Sequence, residues 1–458
     1  MRLPDIEYMH RLLGQQNNSL ISYINANVQS EDDKVRLIKY IFETNNNVRF
    51  FNDKPAPLPV TPSAVTFQVM KSENGTIANT TFGTLSPQKV LLAEFDTFIQ
   101  DLETDFTTGF IRLMQLDHLS LRQYLQERGY LPEEIDWLET VHDFTGQYDI
   151  WSLPQAVLEA WILDSTPLDN WKTIDGGMDR LTNGMTKLLT TPILTSHRVT
   201  ALKPNPNGGI TAIINDTSPK TYTHIINTAP LGTIYTMDLS HLSLTYAQKH
   251  AIRDLTYDSA SKVGLTFKTR WWEKTLPAPI LGGQSSTDLP LRRIIYPSYG
   301  VSTPNASAPL IASYTWGQDA LRVGSFAHTP SGRDYLISIV LRDLARIHNV
   351  TESFLAEELV DYHMWDWYDS EFSLGGFATF SPSQFTTVMP ALLGPVGRGG
   401  RVHFAGEALS SGHTWIVGAL NSAWRAVAWV LAVEGERERL EALVEMWGLV
   451  DEVEMGWY

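Results

Sequence analysis

The chain has 458 residues, 43% of them hydrophobic and 14 of them Trp, which is enough for a well-filled core and for two or three domains or one interleaved pair. A net charge of −16 excludes a nucleic-acid partner, because nothing in such a chain would compete for phosphate. The absence of cysteine excludes disulfides, a thiolate nucleophile, a cysteine-ligated metal and a cysteinyl cofactor link, and no run reaches the ~18 uninterrupted apolar residues of a stable membrane span.

The opening MRLPDIEY lacks the apolar region of a signal peptide, which favours the cytoplasm. Asn17, Asn74, Asn79, Asn215 and Asn305 each begin an Asn-X-Ser/Thr triplet permissive of glycosylation, a triplet that chance often produces. Asp5 to Leu13 is predicted as a short helix and Asp32 to Glu43 as a second. Asn45 to Asp53 reads as a turn feeding a strand, PAPLP closes that unit at Pro59, and residues 64–72 read as a strand. Ser86 to Asp105 carries apolar residues at helical spacing, Ser120 and Gln123 fit a capping box, and Pro154 to Leu163 is a further helix. Residues 61–169 are therefore read as a mainly helical insert.

From Trp171 the pattern changes. Gly176-Gly177 precedes a helical stretch, Asn205 to Gly209 is a hairpin turn, and Thr223 to Ile234 is an apolar strand running into Ala-Pro-Leu-Gly. Such strand ends are where ligands sit in mixed sheets. Tyr246 to Leu255 is helical, and Ser261 to Glu273 places Val263, Leu265 and Phe267 on one face of a half-buried strand that Lys262 opens. A lone Lys there is ordinarily solvated. Two more strand segments follow, then a helix over Arg333 to Ile347, and Trp365 to Phe385 reads as an aromatic, glycine-rich loop.

The stretch Gly400 to Glu436 organises the rest: an apolar strand at Val402 to Ala405, a Gly/Ser loop from Gly406, and a buried helix from about Ile416. Strand, glycine turn and helix N-terminus suit an electron-rich or anionic cofactor group. Gly418, Ala419, Ser422 and Ala423 are read as keeping the helix thin enough for something flat to approach, with an ordinary strand–helix pair as the alternative. The tail after Gly435 is an amphipathic helix, serving either an oligomer surface or packing on its own core. Gly-x-Gly-x-x-Gly after a first strand, His-Glu-x-x-His, Gly-x-Ser-x-Gly and a P-loop are all absent, and no metal site is read.

Phe404-Ala-Gly-Glu407 followed by His413-Thr-Trp-Ile416 resembles the C-terminal signature of the flavin monoamine oxidase superfamily, and within it the L-amino-acid oxidases. MRLP, WKTIDGGMDRL, INTAPLG, KVGLTFKTRWWE, GGQSSTDLPLRRIIYP, LIASYTWGQDA and LGGFATFSPSQF resemble further family blocks in the family's order, covering most of the chain and the helical insert least. The resemblance implies an α/β (mixed α+β) fold of two interleaved domains. The substrate domain would gather residues 1–60 and 246–384, the insert would line an access channel, the FAD domain would gather 170–245 and 385–435, and 436–458 would be a helical tail. It implies non-covalent FAD, an L-amino acid as substrate and O2 as oxidant. A hydride equivalent passes from the α-carbon to flavin N5, the imino acid hydrolyses to a 2-oxo acid and ammonia, and O2 yields hydrogen peroxide.

By the same resemblance Arg2 matches the arginine that grips the substrate carboxylate, for which a guanidinium fork is suited. Tyr296 matches a hydroxyl that helps hold it. Lys262 matches the lysine that holds a water near flavin N5, and Trp367 and Trp415 the aromatics bordering substrate and flavin. Gly406 and Glu407 belong to the FAD-binding signature, with Glu407 accepting from a sugar-type hydroxyl. Val199 matches a backbone position at adenine, and Ile416 begins the helix facing the ring's O2 edge.

Two departures from the family stand out. Thr414 replaces a glycine between His413 and Trp415, adding a side chain at the substrate's amino end. The N-terminal glycine-rich unit that cradles the FAD pyrophosphate has no counterpart, so the chain is expected to be either truncated or completed by another polypeptide, and to bind FAD weakly alone. The alternatives within the superfamily are an amine or polyamine oxidase and an amino-acid monooxygenase. A catalytically impaired or non-catalytic remnant is the reading from another class.

Overall fold

The computed structural model describes residues 2–14, 19–164, 166–397 and 399–450; Asn17 and Asn18 of the first triplet and residues 451–458 of the tail lie outside them. Side-chain caps set the helix starts. Ser86 accepts from the Lys89 amide, with Pro87 at the first position of the helix Pro87–Thr104. Asp105 ends that helix and caps the next, Phe106–Met114. Ser120 and Gln123 form the expected capping box ahead of Leu121–Glu127. Pro132–Val141 and Leu153–Asp164 complete this helical block.

One sheet has seven strands in the order Leu359–Asp366, Ala260–Phe267, Ala308–Trp316, Arg293–Tyr296, Gly283–Thr287, Val48–Phe51 and Lys54–Pro57. All neighbours are antiparallel except Gly283–Thr287 with Val48–Phe51. Side chains alternate across a strand, so Val263, Leu265 and Phe267 join one core while Lys262 stands on the other face. That core lies under the helix Pro330–His348 and includes Trp271, Trp272 and Ile294. Trp271 is fully buried, edge-on to Trp272 at 5.7 Å and to His348 at 5.0 Å. Replacing Trp271 by Ala is expected to cost about 3–5 kcal/mol in a urea titration.

A second core is shared by the helical block and the cofactor-side elements. These are the antiparallel sheet Val199–Pro204, Ile210–Ile214 and Ser218–Tyr222, and the parallel pair Ile225–Asn227 with Val402–Phe404. The helix Ile416–Val433 packs beside that pair and is long and apolar enough by composition to cross a bilayer. Its Asn421, Ser422 and Arg425 are buried and bonded inside the fold, to Arg11, the Gly406 amide and the Leu409 carbonyl. The tail helix Arg437–Trp447 docks on the N-terminal helices, where Arg11 donates to the carbonyls of Trp447 and Leu449 and Tyr23 meets Trp447.

Three local expectations fail. Asp32 to Glu43 is not a helix: after a single 3-10 turn, Leu37–Lys39 is a strand on Trp171–Ile174, whose other edge carries Leu3–Pro4. Cross-strand burial of Trp171 and Ile174 overrides local helical preference there. Residues 64–68 are turns that bury Ala64 and Phe67, not a strand. The aromatic loop begins later than read, because Trp365 belongs to the strand Leu359–Asp366 opposite Lys262.

Candidate active site

A cavity of about 920 Å³ lies between the seven-stranded sheet, the helical block and the start of the helix Ile416–Val433. The sheet pairing Leu3↔Lys172 and Pro4↔Trp171 carries Arg2 to its wall. Arg2 donates through Nη1 to Gln284 Oε1 at 3.3 Å, and its guanidinium stands 5.2 Å from the Phe42 ring centre and 6.0 Å from that of Trp171. Burial, with Arg293 nearby, lowers its pKa from the ordinary arginine value. Burial raises the pKa of the Tyr40 and Tyr314 phenols, and the charge of Arg2 offsets part of that rise.

The other guanidinium groups on the wall are committed. Arg293 forks onto the buried Asp143 at 2.8 Å through both Nε and Nη2, and Arg49 pairs with Glu43. Among the described residues Arg2 and Lys262 are the lysine and arginine side chains of this cavity with no ion pair within 4.0 Å. Lys262 Nζ lies 4.3 Å from the centre of the Tyr314 ring and 5.1 Å from that of Trp367. Burial, then the charge of Arg2, lowers its pKa to about 8.

Trp367 and Trp415 both line the cavity, whereas Trp365 is largely exposed. Ile416 is the first residue of its helix, and Trp415, at the cap position, makes no side-chain cap bond. Ala419, one turn on, also lines the cavity. Gly418 does not leave room for a ligand: a Cβ there would lie 2.0 Å from the Gly412 carbonyl oxygen, so its smallness serves loop packing. Gly406 has φ +147°, a backbone conformation that favours glycine, with open space where a Cβ would stand.

Glu407 reaches the cavity wall but is bonded on both oxygens to backbone, Oε1 to the Ala378 amide at 2.9 Å and Oε2 to the Thr414 amide at 2.8 Å. Burial raises its pKa and these two bonds oppose the rise. Glu407→Ala strands both amides and is expected to cost about 1–3 kcal/mol for each, read as a lower melting temperature. Thr414 has φ +69°, strained for a β-branched residue, and its hydroxyl donates to Glu159 Oε2 at 3.1 Å. His413 is buried against Phe385, and its Nδ1–H donates to Gln155 Oε1 at 2.8 Å. Burial pulls its pKa down to about 3, so it is a neutral wedge in the loop.

Tyr296 is also among the residues lining the cavity, while Val199 is not. Tyr296 is fully buried, with its hydroxyl bonded to His348 Nε2 at 2.6 Å and Ser285 Oγ at 3.1 Å within the sheet's own core. The phenols beside Arg2 are Tyr40 and Tyr314 instead. Val199 begins the three-stranded sheet and is not part of the cavity lining. Sequence reasoning missed Glu159, Tyr40, Tyr314 and Gln284. Glu159 left a signal, as an acidic residue inside the apolar run Leu153 to Leu163; the others reach the site only through sheet pairing.

The chain matches the family model for flavin containing amine oxidoreductase over residues 91–431. It is 34% identical over 477 residues to L-amino-acid oxidase 4 of Hebeloma cylindrosporum, covering 95% of this chain and 72% of that protein. It is 37% identical over 474 residues to a Dictyostelium discoideum protein named as a bifunctional amine oxidase, covering 99% of this chain but only 43% of that protein. Putrescine oxidase superposes with a TM-score of 0.63 at 16% identity, over 88% of this chain and 84% of that one. Cyclohexylamine oxidase from Brevibacterium oxydans gives 0.61 at 16% identity, over 92% and 86%. The architecture is thus the mixed α/β, two-domain fold of flavin amine oxidases, and the chain belongs to the flavin-containing amine oxidoreductase family.

Proposed function

We propose that the protein is an FAD-dependent oxidase that deaminates an L-amino acid to a 2-oxo acid and ammonia, with O2 reduced to hydrogen peroxide. The observation that carries this is Arg2, a half-buried guanidinium on the cavity wall with no ion pair among the described residues. A half-buried cation without a counter-charge is costly, and a substrate carboxylate would fill that place with a charge-assisted, two-pronged bond. Tyr40, Tyr314 and Gln284 would fix the direction of approach.

The residues present fit the ring end of FAD. Trp415, Ile416, Ala419 and Glu407 line one wall, and the helix start without a side-chain cap presents amides to an electron-rich ring edge. Bound FAD would supply the hydride acceptor, which no side chain can provide. The chain's own groups would do the rest. Arg2 holds the carboxylate, Trp367 and Trp415 wall the substrate from water, and Lys262 puts a positive charge and a held water beside the place where O2 takes up electrons. The domain division proposed is substrate residues 1–60 and 246–384, insert 61–169, and FAD-side residues 170–245 and 385–435.

The second reading is an amine or polyamine oxidase, favoured by the carboxylate of Glu159 on the cavity wall, which would attract a cationic amine. With FAD supplied, peroxide release from each L-amino acid and from its decarboxylated amine separates the two. The proposal requires the amino acid to be the better substrate.

A further inference from the structure

Glu159 is an acidic side chain within the apolar helix Leu153–Asp164, flanked by the buried Leu158 and Ala160. It lines the same cavity as Arg2 and Lys262. Its Oε2 accepts from the Thr414 hydroxyl at 3.1 Å and from the indole N–H of Trp415 at 3.2 Å. Those two bonds fix the carboxylate against Thr414 and Trp415 on the cavity wall. Its field also crosses the cavity. Burial lowers the proton affinity of Arg2, and Glu159 is among the groups that partly restore it; burial raises the pKa of Tyr314, and Glu159 adds to the rise. The cavity therefore carries a cationic anchor and a fixed carboxylate within electrostatic reach of each other. Its volume of about 920 Å³ leaves room for a long substrate side chain.

We propose that Glu159 is a specificity-determining residue whose carboxylate selects L-amino acids with a cationic side-chain end, a primary ammonium or a guanidinium, over acidic ones. The inference rests on the reading of Arg2 as the carboxylate anchor. With the α-carboxylate held there, a side-chain cation gains a charge-assisted bond at Glu159, while a side-chain carboxylate meets like charge in a desolvated space. A purely structural role, holding the strained Thr414 and the Trp415 ring, is the competing explanation. Glu159→Gln separates the two, because the amide oxygen still accepts from Thr414 and Trp415 while the charge is gone.

The test uses the full chain loaded with FAD, wild type and Glu159→Gln, with L-lysine, L-leucine and L-glutamate as probes. Two ratios are read, kcat/KM from peroxide release and the dissociation constant from tryptophan fluorescence, which needs no turnover. In the variant the lysine-to-leucine ratio is expected to fall by about 10- to 100-fold, the strength of a hydrogen bond to a charged group, and the glutamate-to-leucine ratio to rise. Unchanged ratios in a variant with a wild-type melting curve overturn the proposal. If no amino acid is oxidised but the fluorescence ratios shift as stated, Glu159 selectivity stands and the oxidase reading fails. If Glu159→Gln does not fold, Glu159→Asp keeps the charge and must still bind lysine ahead of glutamate; equal binding overturns the proposal.

Discussion

Arg2→Met is expected to lower kcat/KM for the preferred L-amino acid by about 100- to 1,000-fold, the cost of truncating one partner of a desolvated charge pair. The same substitution should leave the corresponding decarboxylated amine nearly unaffected, because that molecule has nothing for the guanidinium to hold. The asymmetry follows from the surroundings of Arg2. Among the described residues its side-chain hydrogen bond goes to a neutral amide, Gln284, and the aromatic faces of Phe42 and Trp171 steady its position without neutralising it. The competing arginines of the wall are bound to Asp143 and Glu43, so neither can take over. Arg2→Lys should recover only part of the loss, since a point charge cannot match both carboxylate oxygens. Initial rates of peroxide release for the amino acid and amine pairs check this, and an equal loss on both substrates would remove Arg2 from carboxylate recognition.

Lys262→Met is expected to lower the second-order rate with O2 by about 100-fold, the usual effect of removing one electrostatic group from the place where charge develops. The pH dependence gives the sharper signature. Burial holds the Lys262 pKa down at about 8, so the ammonium is present below that pH and is lost above it. Negative charge builds on O2 as it is reduced, so the wild-type rate should be high on the acid side of pH 8 and fall on the alkaline side. In Lys262→Met that limb should vanish. Stability carries the same shift in the opposite sense. Between about 8 and the ordinary lysine value of 10.5 the unfolded chain binds a proton that the folded chain does not, so this group's contribution to stability rises with pH across that window.

The strand Val402–Phe404, the helix start at Ile416 and the alternation that sets Lys262 opposite Val263 were all legible, because local periodicity and glycine placement determine them. Arg2 was legible through the family motif, but its proximity to Lys262 depends on a pairing between Leu3 and Lys172 that no local signal encodes. The strand Leu37–Lys39 was misread for the same reason, since its partner lies far along the chain at Trp171–Ile174. Tyr296 shows how narrow the margin is. In a pleated strand one residue of offset turns a side chain to the opposite face, and the hydroxyl of Tyr296 bonds His348 in the core. Glu159 was visible only as an acidic residue inside an apolar helix, and its meaning depends on Thr414 and Trp415 arriving from the far end of the chain.

A cavity built for an α-amino carboxylate must prefer an amino acid to the amine that lacks the carboxylate. The most direct measurement supplies FAD to the full chain and quantifies peroxide, ammonia and 2-oxo acid from each standard L-amino acid beside its decarboxylated amine. Stoichiometric formation of all three products from at least one amino acid is expected, with its amine a much poorer substrate and Arg2→Met erasing that gap. Oxidation of the amines as well as or better than the amino acids, with Arg2→Met indifferent, would contradict that expectation.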